Sequence, residues 1–191
     1  MITAILLASG YSKRLNDNKL LLDFHGKPII SHMMNMINTY PFEEKLLVQR
    51  EDDYTNLALD YHFTCLSNPN ASTGQSASVR IGVEYAAPMS ALMFFVGDQP
   101  CLTSDIIKTL IRNHEKYPND IIVPMTQAMY RNPVIFPARF RKELLQLDGD
   151  RGGRRIIKRY PEYVRTVNFE NSYAFQDIDT LADYQTLLYR T

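Results

Sequence analysis

Residues 3–22 read TAILLASGYSKRLNDNKLLL, an apolar run that stops at a small polar turn and is followed by basic residues. The run from residue 2 to residue 8 predicts a short buried strand, because it contains two isoleucines and ends sharply at Ser9-Gly10. Gly10 lacks a Cβ, so the backbone can turn tightly there and bring N–H groups close to an anion. Lys13, Arg14 and Lys19 would neutralise the phosphates of a nucleoside triphosphate. An ordinary strand-to-helix turn with solvated lysines is the alternative.

Two common phosphate-binding motifs are missing from the sequence. A Walker A loop ends in Gly-Lys-Ser or Gly-Lys-Thr, whereas the pair Gly26-Lys27 precedes Pro28. The dinucleotide fingerprint needs glycines two and five residues after Gly10, and serine and leucine stand there. The segment therefore predicts a phosphate site of a different kind.

The composition describes a chain with balanced charge and few cysteines. It has 191 residues, with 21 Lys and Arg against 21 Asp and Glu, so we expect one domain, 1–191, and no nucleic-acid partner. The two cysteines, Cys65 and Cys101, lack metal-ligand spacing, which favours a reducing compartment without a zinc site. The longest apolar run, 91–96, is too short to span a bilayer, and no signal peptide is evident. We expect a cytoplasmic protein without a membrane partner.

Strand-like and helix-like segments alternate along the whole chain. The pattern predicts strands at about 2–8, 45–49, 62–66, 91–96, 120–124, 133–136 and 163–169. It predicts helices from 28, at 54–60, from 76, and at 103–114, 139–147 and 180–188. This order is typical of an α/β fold in three layers, a doubly wound, mainly parallel (mixed), Rossmann-like sheet covered by helices on both faces. The methionines and His32 of the first helix recur at helical spacing, which favours core packing over metal ligation.

Two acidic segments are candidates for a magnesium site. Asp98 follows the buried strand 91–96 in Gly97-Asp98-Gln99-Pro100, where a carboxylate costs desolvation energy unless it meets a cation. Mg²⁺ is the usual cation beside a triphosphate. If 175–179 is extended, Asp177 and Asp179 point to the same side, and we prefer Asp179 as the second ligand with Asp177 as support. The alternatives are that Asp98 caps a turn and that Asp179 or Thr180 caps the last helix.

Two glycine-containing segments are candidates for binding the substrates. Gly74 precedes a predicted helix, whose first N–H groups and dipole favour an anion or a base carbonyl, and Ser76 or Ser78 can supply a hydroxyl. Residues 149–155 place an Asp and three Arg around glycines, a suitable place to bind an anionic group. A simple helix cap and an exposed charged turn are the alternatives.

These motifs together resemble those of the MobA-like nucleotidyltransferases, with the molybdenum cofactor cytidylyltransferases as the nearest branch. The family opens with Leu-Ala-Ala-Gly-x-Ser-x-Arg-Met-Gly-x-x-Lys-x-Leu, and here Ser9, Leu15 and Asn16 replace Ala, Met and Gly. Gly-Asp-Gln-Pro resembles its metal-binding motif, and residues 177–183 resemble Asp-Ile-Asp-Thr-Pro-x-Asp with Leu181 for Pro. The segments 132–136 and 149–154 resemble its acceptor elements, Gly-x-Pro-Val and Gly-Asp-x-Gly-Ala-Arg, with Arg131 for the first Gly.

The resemblance implies a nucleotide-diphospho-sugar transferase-like fold and a role for each matching residue. The catalytic residues would be Lys19, Arg14 and Asp98, and the Mg²⁺ ligands Asp98 and Asp179. The nucleotide would contact Leu7, Ala8, Ser9, Gly10, Arg14, Lys19, Gly74 and Ser78. The acceptor would contact Asn132, Pro133, Asp150 and Arg151.

The reaction implied is transfer of a nucleoside monophosphate from a triphosphate to a terminal phosphate, with release of pyrophosphate. By resemblance the nucleotide is CTP and the acceptor is the phosphate of molybdopterin that carries molybdenum. A guanylyl or sugar-phosphate transferase is the alternative enzyme. A second class is a carrier that delivers the molybdenum cofactor to a molybdenum hydroxylase partner.

Overall fold

The computed structural model describes residues 1–10, 18–50, 54–150 and 152–189. Its strands are β1 Ile2–Ala8, β2 Asp23–Phe24, β3 Lys27–Pro28, β4 Glu44–Gln49, β5 Thr64–Ser67, β6 Ala91–Val96, β7 Ile121–Thr126, β8 Met129–Tyr130, β9 Val134–Phe136 and β10 Val164–Asn168. Its helices are α1 Ile29–Ile37, α2 Thr55–Asp60, α3 Gln75–Tyr85, α4 Ser104–Lys116, α5 Arg141–Leu145, α6 Arg154–Arg159 and α7 Leu181–Leu188. The predictions for Arg14, Asn16 and Arg151 lie outside the described residues.

The strand β1 lies inside the main sheet, paired in parallel with β4 on one side and β6 on the other. In the described parts of the chain this sheet has eight strands in the order β10-β7-β9-β6-β1-β4-β5, with β8 paired to β7. The strand β9 is antiparallel to both β6 and β7, while β5 and β10 pair in parallel with their neighbours. The predicted mainly parallel, mixed sheet is therefore confirmed.

Two groups of buried side chains cover the two faces of this sheet. Along β1, Leu6 belongs to the buried cluster that includes residues of α1, α2, α4 and α7. The adjacent Ile5 belongs to the cluster that includes residues of α3, α5 and α6. Successive side chains of a strand point to opposite faces, so an apolar strand buried on both sides reads as a continuous run. Met33 and Met34 of α1 are completely buried, as the core interpretation predicts. The predicted three-layer arrangement is therefore confirmed.

The sequence pattern does not predict the hairpin formed by β2 and β3. Each strand has two residues, which is too short to show periodicity. The turn between them uses His25 and Gly26, with φ angles of 50° and 81°. Glycine is favoured at such angles, so the pair His25-Gly26 is the sequence feature that could have predicted this turn. The first helix consequently begins at Ile29, because the predicted first residue, Pro28, ends β3.

Three short segments in the rest of the chain also differ from prediction. The predicted helix at 139–147 is a 3₁₀ turn, Ala138–Phe140, followed by the five-residue α5. The helix α6 was not predicted, since its six residues give less than two turns of periodicity. The strand predicted at 62–66 is β5, which begins at Thr64 because His62 has a φ of 59° directly after α2.

In the described ranges every helix is too short or too polar to cross a bilayer.

Candidate active site

A cavity of about 380 Å³ opens where β1 and β6 end. The turns after both strands contribute to its wall, as do the 3₁₀ turn Lys19–Leu21 and the start of α3. Its lining includes the predicted residues Leu7, Ala8, Ser9, Gly10, Lys19, Gly74, Ser78 and Asp98. The carboxyl ends of parallel strands are where α/β sheets bind ligands, and the structure brings these residues together there.

The ammonium of Lys19 lies between two of the predicted carboxylates. Its Nζ donates hydrogen bonds to Asp98 Oδ2 at 2.8 Å, to Asp179 Oδ1 at 3.1 Å and to the carbonyl oxygen of Ile178 at 2.7 Å. The side chains of Lys19 and Asp98 are mostly buried, with 16% and 20% exposed, whereas 57% of Asp179 is exposed. Residues about 80 and 160 positions apart in the chain thus meet at one charge cluster.

The charges of this cluster determine the protonation of Lys19. Burial lowers the pKa of the Lys19 ammonium, but the charge and hydrogen bond of Asp98, together with those of Asp179, outweigh burial and raise the pKa above its usual value. Lys19 is therefore a positive charge at neutral pH, as a phosphate-binding residue must be.

The segment that carries Asp179 is fixed to the loop that carries Asp98. The Ile178 N–H donates to the carbonyl oxygen of Asp98 at 3.0 Å. Gln99 is 2% exposed, and its Nε2 donates to Asp177 Oδ1 at 2.8 Å. Burial and the charge of Asp98 raise the pKa of Asp177 to about 6. Gln99 thus holds Asp177 beside the cluster. The sequence reasoning missed this contact, although Gln99 follows Asp98 directly.

Thr180, and not Asp179, is the N-terminal cap of α7. The Thr180 hydroxyl accepts from the Asp183 N–H at 3.1 Å, and the Asp183 carboxylate accepts from the Thr180 N–H at 2.8 Å. This capping box leaves the Asp179 carboxylate to contact Lys19. The capping alternative is therefore confirmed at Thr180. Metal binding by Asp179 stays a prediction.

The donor set of the cluster fits a single divalent cation. Two carboxylates from different segments converge on one cation, the Lys19 ammonium, and Mg²⁺ prefers one or two carboxylates with phosphate oxygens and water completing its shell. In the described portion of the chain no three His, Cys, Asp or Glu side chains are placed to hold a metal. Any Mg²⁺ here would therefore need oxygens from outside the protein.

The floor of the cavity is a small buried network of polar side chains. The hydroxyls of Ser9 and Ser78 hydrogen-bond to each other, and Asn68 Nδ2 donates to Ser78 Oγ at 3.0 Å and to Ser9 Oγ at 3.4 Å. All three residues are buried. The Ser78 hydroxyl, expected to face the nucleotide, is thus also engaged within the protein.

The start of α3 contacts the second glycine segment. Gly74 has a φ of 107°, and a Cβ there would lie 2.5 Å from the carbonyl carbon of Gly149 and 2.6 Å from Asp150 Oδ1. The Ser76 N–H donates to the Gly149 carbonyl oxygen at 3.2 Å. This N–H is therefore already hydrogen-bonded within the protein and is not available to a ligand. Gly74 is required because only a glycine allows this approach.

A larger cavity, of about 600 Å³, adjoins the first. The two share Leu7, Gln75, Val96 and Asp150 as wall residues. The predicted acceptor residues Asn132 and Asp150 line the larger cavity, whereas Pro133 is not among its lining residues. Four basic side chains also line it: Arg131, Arg154, Arg155 and Lys158. Of these, Arg131 stands where the resembled acceptor element has a glycine, and Lys158 was not predicted. Lys158 is one turn beyond Arg154 on the unpredicted α6.

Residues 4–164 match the model of a protein family described as "MobA-like NTP transferase domain". The chain belongs to this family. It is a nucleotidyltransferase of the MobA-like kind, as the motifs predict.

Two relatives align with nearly the whole chain of this MobA-like transferase. "Purine catabolism protein PucB" of Bacillus subtilis is 26% identical over 195 residues, 96% of this chain and 94% of its own. "Probable molybdenum cofactor guanylyltransferase" of Carboxydothermus hydrogenoformans is 26% identical over 200 residues, 98% of this chain and 95% of its own.

Solved structures share the fold of the MobA-like transferase. Rv0371c of Mycobacterium tuberculosis is 21% identical with a TM-score of 0.84, over 98% of this chain and 97% of its own. Its manganese complex gives a TM-score of 0.79 at 21% identity, over 100% and 99% of the two chains. A nucleotidyl transferase from Methanothermobacter is 17% identical with a TM-score of 0.82, over 98% and 96%. The fold is that of the nucleotide-diphospho-sugar transferases, as predicted.

The structure explains how this chain accommodates three departures from the family pattern. Ser9 replaces an alanine, and its hydroxyl is satisfied by Ser78. Leu181 replaces a proline at the first position of α7, where proline is favoured but not required. Arg131 replaces a glycine, and its Nε donates to Oγ1 of the buried Thr126 at 2.9 Å. The first two changes are absorbed locally, whereas Arg131 adds a positive charge to the larger cavity.

Proposed function

We propose that this protein transfers CMP from CTP to the terminal phosphate of molybdopterin that carries molybdenum, forming molybdopterin cytosine dinucleotide and pyrophosphate. The observation that carries the proposal is a pair of adjoining cavities. Lys19 and Asp98 line one cavity, with Asp179 ion-paired to Lys19, and the other cavity has a basic wall. A transferase needs two substrates held side by side, and positioning supplies much of its rate.

The smaller cavity is proposed to bind the nucleotide. The turn at Ser9-Gly10 would approach the triphosphate through its backbone, while Lys19 would neutralise the phosphates and stabilise the pyrophosphate that leaves. Arg14, from the same segment, is proposed to assist Lys19. Asp98 and Asp179 would hold Mg²⁺, which supplies charge neutralisation to the bound triphosphate.

The larger cavity is proposed to bind the acceptor. The acceptor's phosphate would reach the α-phosphorus at the shared wall, near Gln75 and Asp150, with Asn132 and Arg151 as further acceptor residues. Pro133 does not line this cavity and would act only by positioning its neighbour Asn132. The acceptor phosphate oxygen forms the new bond to the α-phosphorus as the bond to pyrophosphate breaks, so no protein nucleophile is needed. Arg131, Arg154 and Lys158 would bind anionic groups of the acceptor.

A second enzyme activity competes with the proposed one, and it differs in the base of the nucleotide. The motifs favour the cytidylyl branch, whereas a relative along nearly the whole chain is named a molybdenum cofactor guanylyltransferase. A guanylyl transferase is therefore the second candidate. A carrier of the cofactor for a molybdenum hydroxylase is compatible with the same cavities and differs in lacking turnover.

The test is pyrophosphate release by the purified protein with CTP, GTP or ATP and Mg²⁺, each without acceptor, with molybdenum-bearing molybdopterin, or with a sugar phosphate. We expect release with CTP that depends on the acceptor. Preference for GTP would replace the proposal by the guanylyl candidate, and release with a sugar phosphate alone would replace the acceptor. Cofactor binding without any release would favour the carrier.

A further inference from the structure

We infer that the Lys19 ammonium occupies the metal position of the nucleotide-free protein and leaves it when the metal and the triphosphate enter together. This rests on the proposed function only in assigning Asp98 and Asp179 to the metal. Lys19 would thus have two positions, one on the carboxylates and one on the phosphates. The chain would bind a metal–triphosphate complex and have little affinity for the free metal.

The first support is the position of Nζ relative to three oxygen atoms that accept hydrogen bonds from it. A carboxylate oxygen of Asp98, a carboxylate oxygen of Asp179 and the carbonyl oxygen of Ile178 all lie within 3.1 Å of this one atom. Carboxylate and carbonyl oxygens are also the ligands that hard divalent cations take in proteins. One compact charge already lies where these oxygens converge, and a divalent cation bound by both carboxylates must displace it.

The second support is that Lys19 has a second place to go within the same cavity. Lys19 lines the smaller cavity together with Ser9 and Gly10, the residues of the predicted phosphate turn. The long, flexible lysine side chain can turn toward a triphosphate there without movement of its backbone. The triphosphate would thus attract the ammonium away from the two carboxylates as it brings in the metal.

The consequence is that metal and nucleotide bind cooperatively. In the nucleotide-free protein, a divalent cation competes with a covalently attached ammonium, so its apparent affinity falls by the fraction of time that the position is open. A bound triphosphate provides phosphate oxygens for the metal and a new partner for Lys19. Reciprocity then requires the metal to increase nucleotide affinity as well.

The test measures Mn²⁺ binding to the nucleotide-free protein by electron paramagnetic resonance of free Mn²⁺. Lys19→Met removes the charge while keeping a long side chain, and Lys19→Arg keeps the charge. Lys108→Met, an exposed lysine on α4, is the matched control. If Lys19 fills the position for more than about nine-tenths of the time, Lys19→Met should bind Mn²⁺ at least about tenfold more tightly than wild type. Lys19→Arg and Lys108→Met should bind as weakly as wild type.

The double variant Lys19→Met with Asp98→Asn tests whether the increase in Mn²⁺ affinity comes from binding at Asp98. We expect it to lose the increased affinity, because one of the two carboxylates is gone. Unchanged Mn²⁺ affinity in a folded Lys19→Met protein would overturn the inference, as would a gain that persists in the double variant. If Lys19→Met does not fold, by circular dichroism, Lys19→Gln replaces it with the same expectation.

A second measurement needs no variant. Mn²⁺ titrations of wild type are made without nucleotide and with a non-hydrolysable analogue of CTP or of GTP. At least one analogue should change the apparent Mn²⁺ affinity by at least about tenfold after correction for Mn²⁺ bound to the free analogue. Equal affinities without nucleotide and with either analogue would overturn the inference, whereas an effect of the GTP analogue alone would change only the base in the proposed function. Neither measurement includes the acceptor or turnover, so an inactive protein that passes both would contradict the proposed function and leave the inference intact.

Discussion

At the scale of single residues, the site depends on Lys19 being held by two carboxylates from distant segments. Asp98 and Asp179 bring two negative charges near each other, and Lys19 offsets their repulsion in the nucleotide-free protein. In the proposed complex, a metal and a triphosphate would replace that charge and the same carboxylates would become available. Substitutions in this cluster should therefore affect activity more strongly than folding.

Asp98→Ala is expected to lower pyrophosphate release by at least about a hundredfold, which is the effect of removing one preorganised charge-stabilising group. The variant should remain folded, because Asp98 is partly exposed at the cavity and Asp179 still pairs with Lys19. Asp60→Ala, at the exposed end of α2, is the control. Unchanged turnover in Asp98→Ala would refute the role assigned to Asp98.

Arg131→Gln is expected to raise KM for the acceptor about tenfold, the effect of losing one charge-assisted hydrogen bond. KM for CTP should stay unchanged, because Arg131 lines the larger cavity and not the smaller one. The Nη groups of Arg131 have no partner in the described part of the chain, so the substitution breaks no other described ion pair. Arg112→Gln, exposed on α4, serves as control, and a parallel rise in both KM values would argue against the assignment.

At the scale of elements, the sequence predicts those segments whose pattern is long enough to read. The strands β1, β4 and β6 and the helix α4 are close to prediction, because continuous apolar runs and helical spacing identify them. The strands of the β2–β3 hairpin and the helix α6 are too short to repeat their period twice. For the site, motif order predicted the cavity residues, whereas the Gln99 to Asp177 contact and the basic wall depend on tertiary packing.

Thr180→Ala tests the cap of α7 and should lower the free energy of unfolding by about 1 kcal/mol. Thr180→Ser, which keeps the hydroxyl, should be nearly neutral. The hydrogen bond from the Thr180 hydroxyl lowers the pKa of Asp183. That stabilisation is present above the usual Asp pKa and is lost as the pH falls through the lowered one. The difference between wild type and Thr180→Ala in urea unfolding should therefore shrink in acid; a constant difference would show that the cap contributes by another route.

Gly74→Ala tests the close approach of the start of α3 to Gly149 and Asp150. The φ of 107° and the predicted overlap with Gly149 and Asp150 should together lower the free energy of unfolding by about 1–3 kcal/mol. Gly26→Ala is the matched control, since Gly26 also has a positive φ, of 81°, but has open space around it. We expect Gly74→Ala to cost more and to lower turnover, measured by urea unfolding and pyrophosphate release. Equal costs for the two variants would mean that the approach at Gly74 is not tight.

At the scale of the whole molecule, the fold places both cavities at one edge of the sheet. Parallel pairing of β1 and β6 brings Ser9-Gly10 beside Gly97-Asp98 in the smaller cavity, and the antiparallel β9 lies beside β6 and lines the larger cavity. The balanced charge of the chain is thus arranged locally, with Lys19 and Asp98 lining one cavity, Asp179 paired to Lys19, and the basic wall in the other cavity. This division gives each proposed substrate its own set of charges.

The most direct measurement is a crystal structure with Mn²⁺ and a non-hydrolysable CTP analogue, with the metal located by anomalous scattering. The account predicts one manganese peak contacted by Asp98 and Asp179, with the triphosphate between the Ser9-Gly10 turn and a Lys19 ammonium that has left the carboxylates. A manganese peak away from these two carboxylates, or a triphosphate outside the smaller cavity, would contradict it.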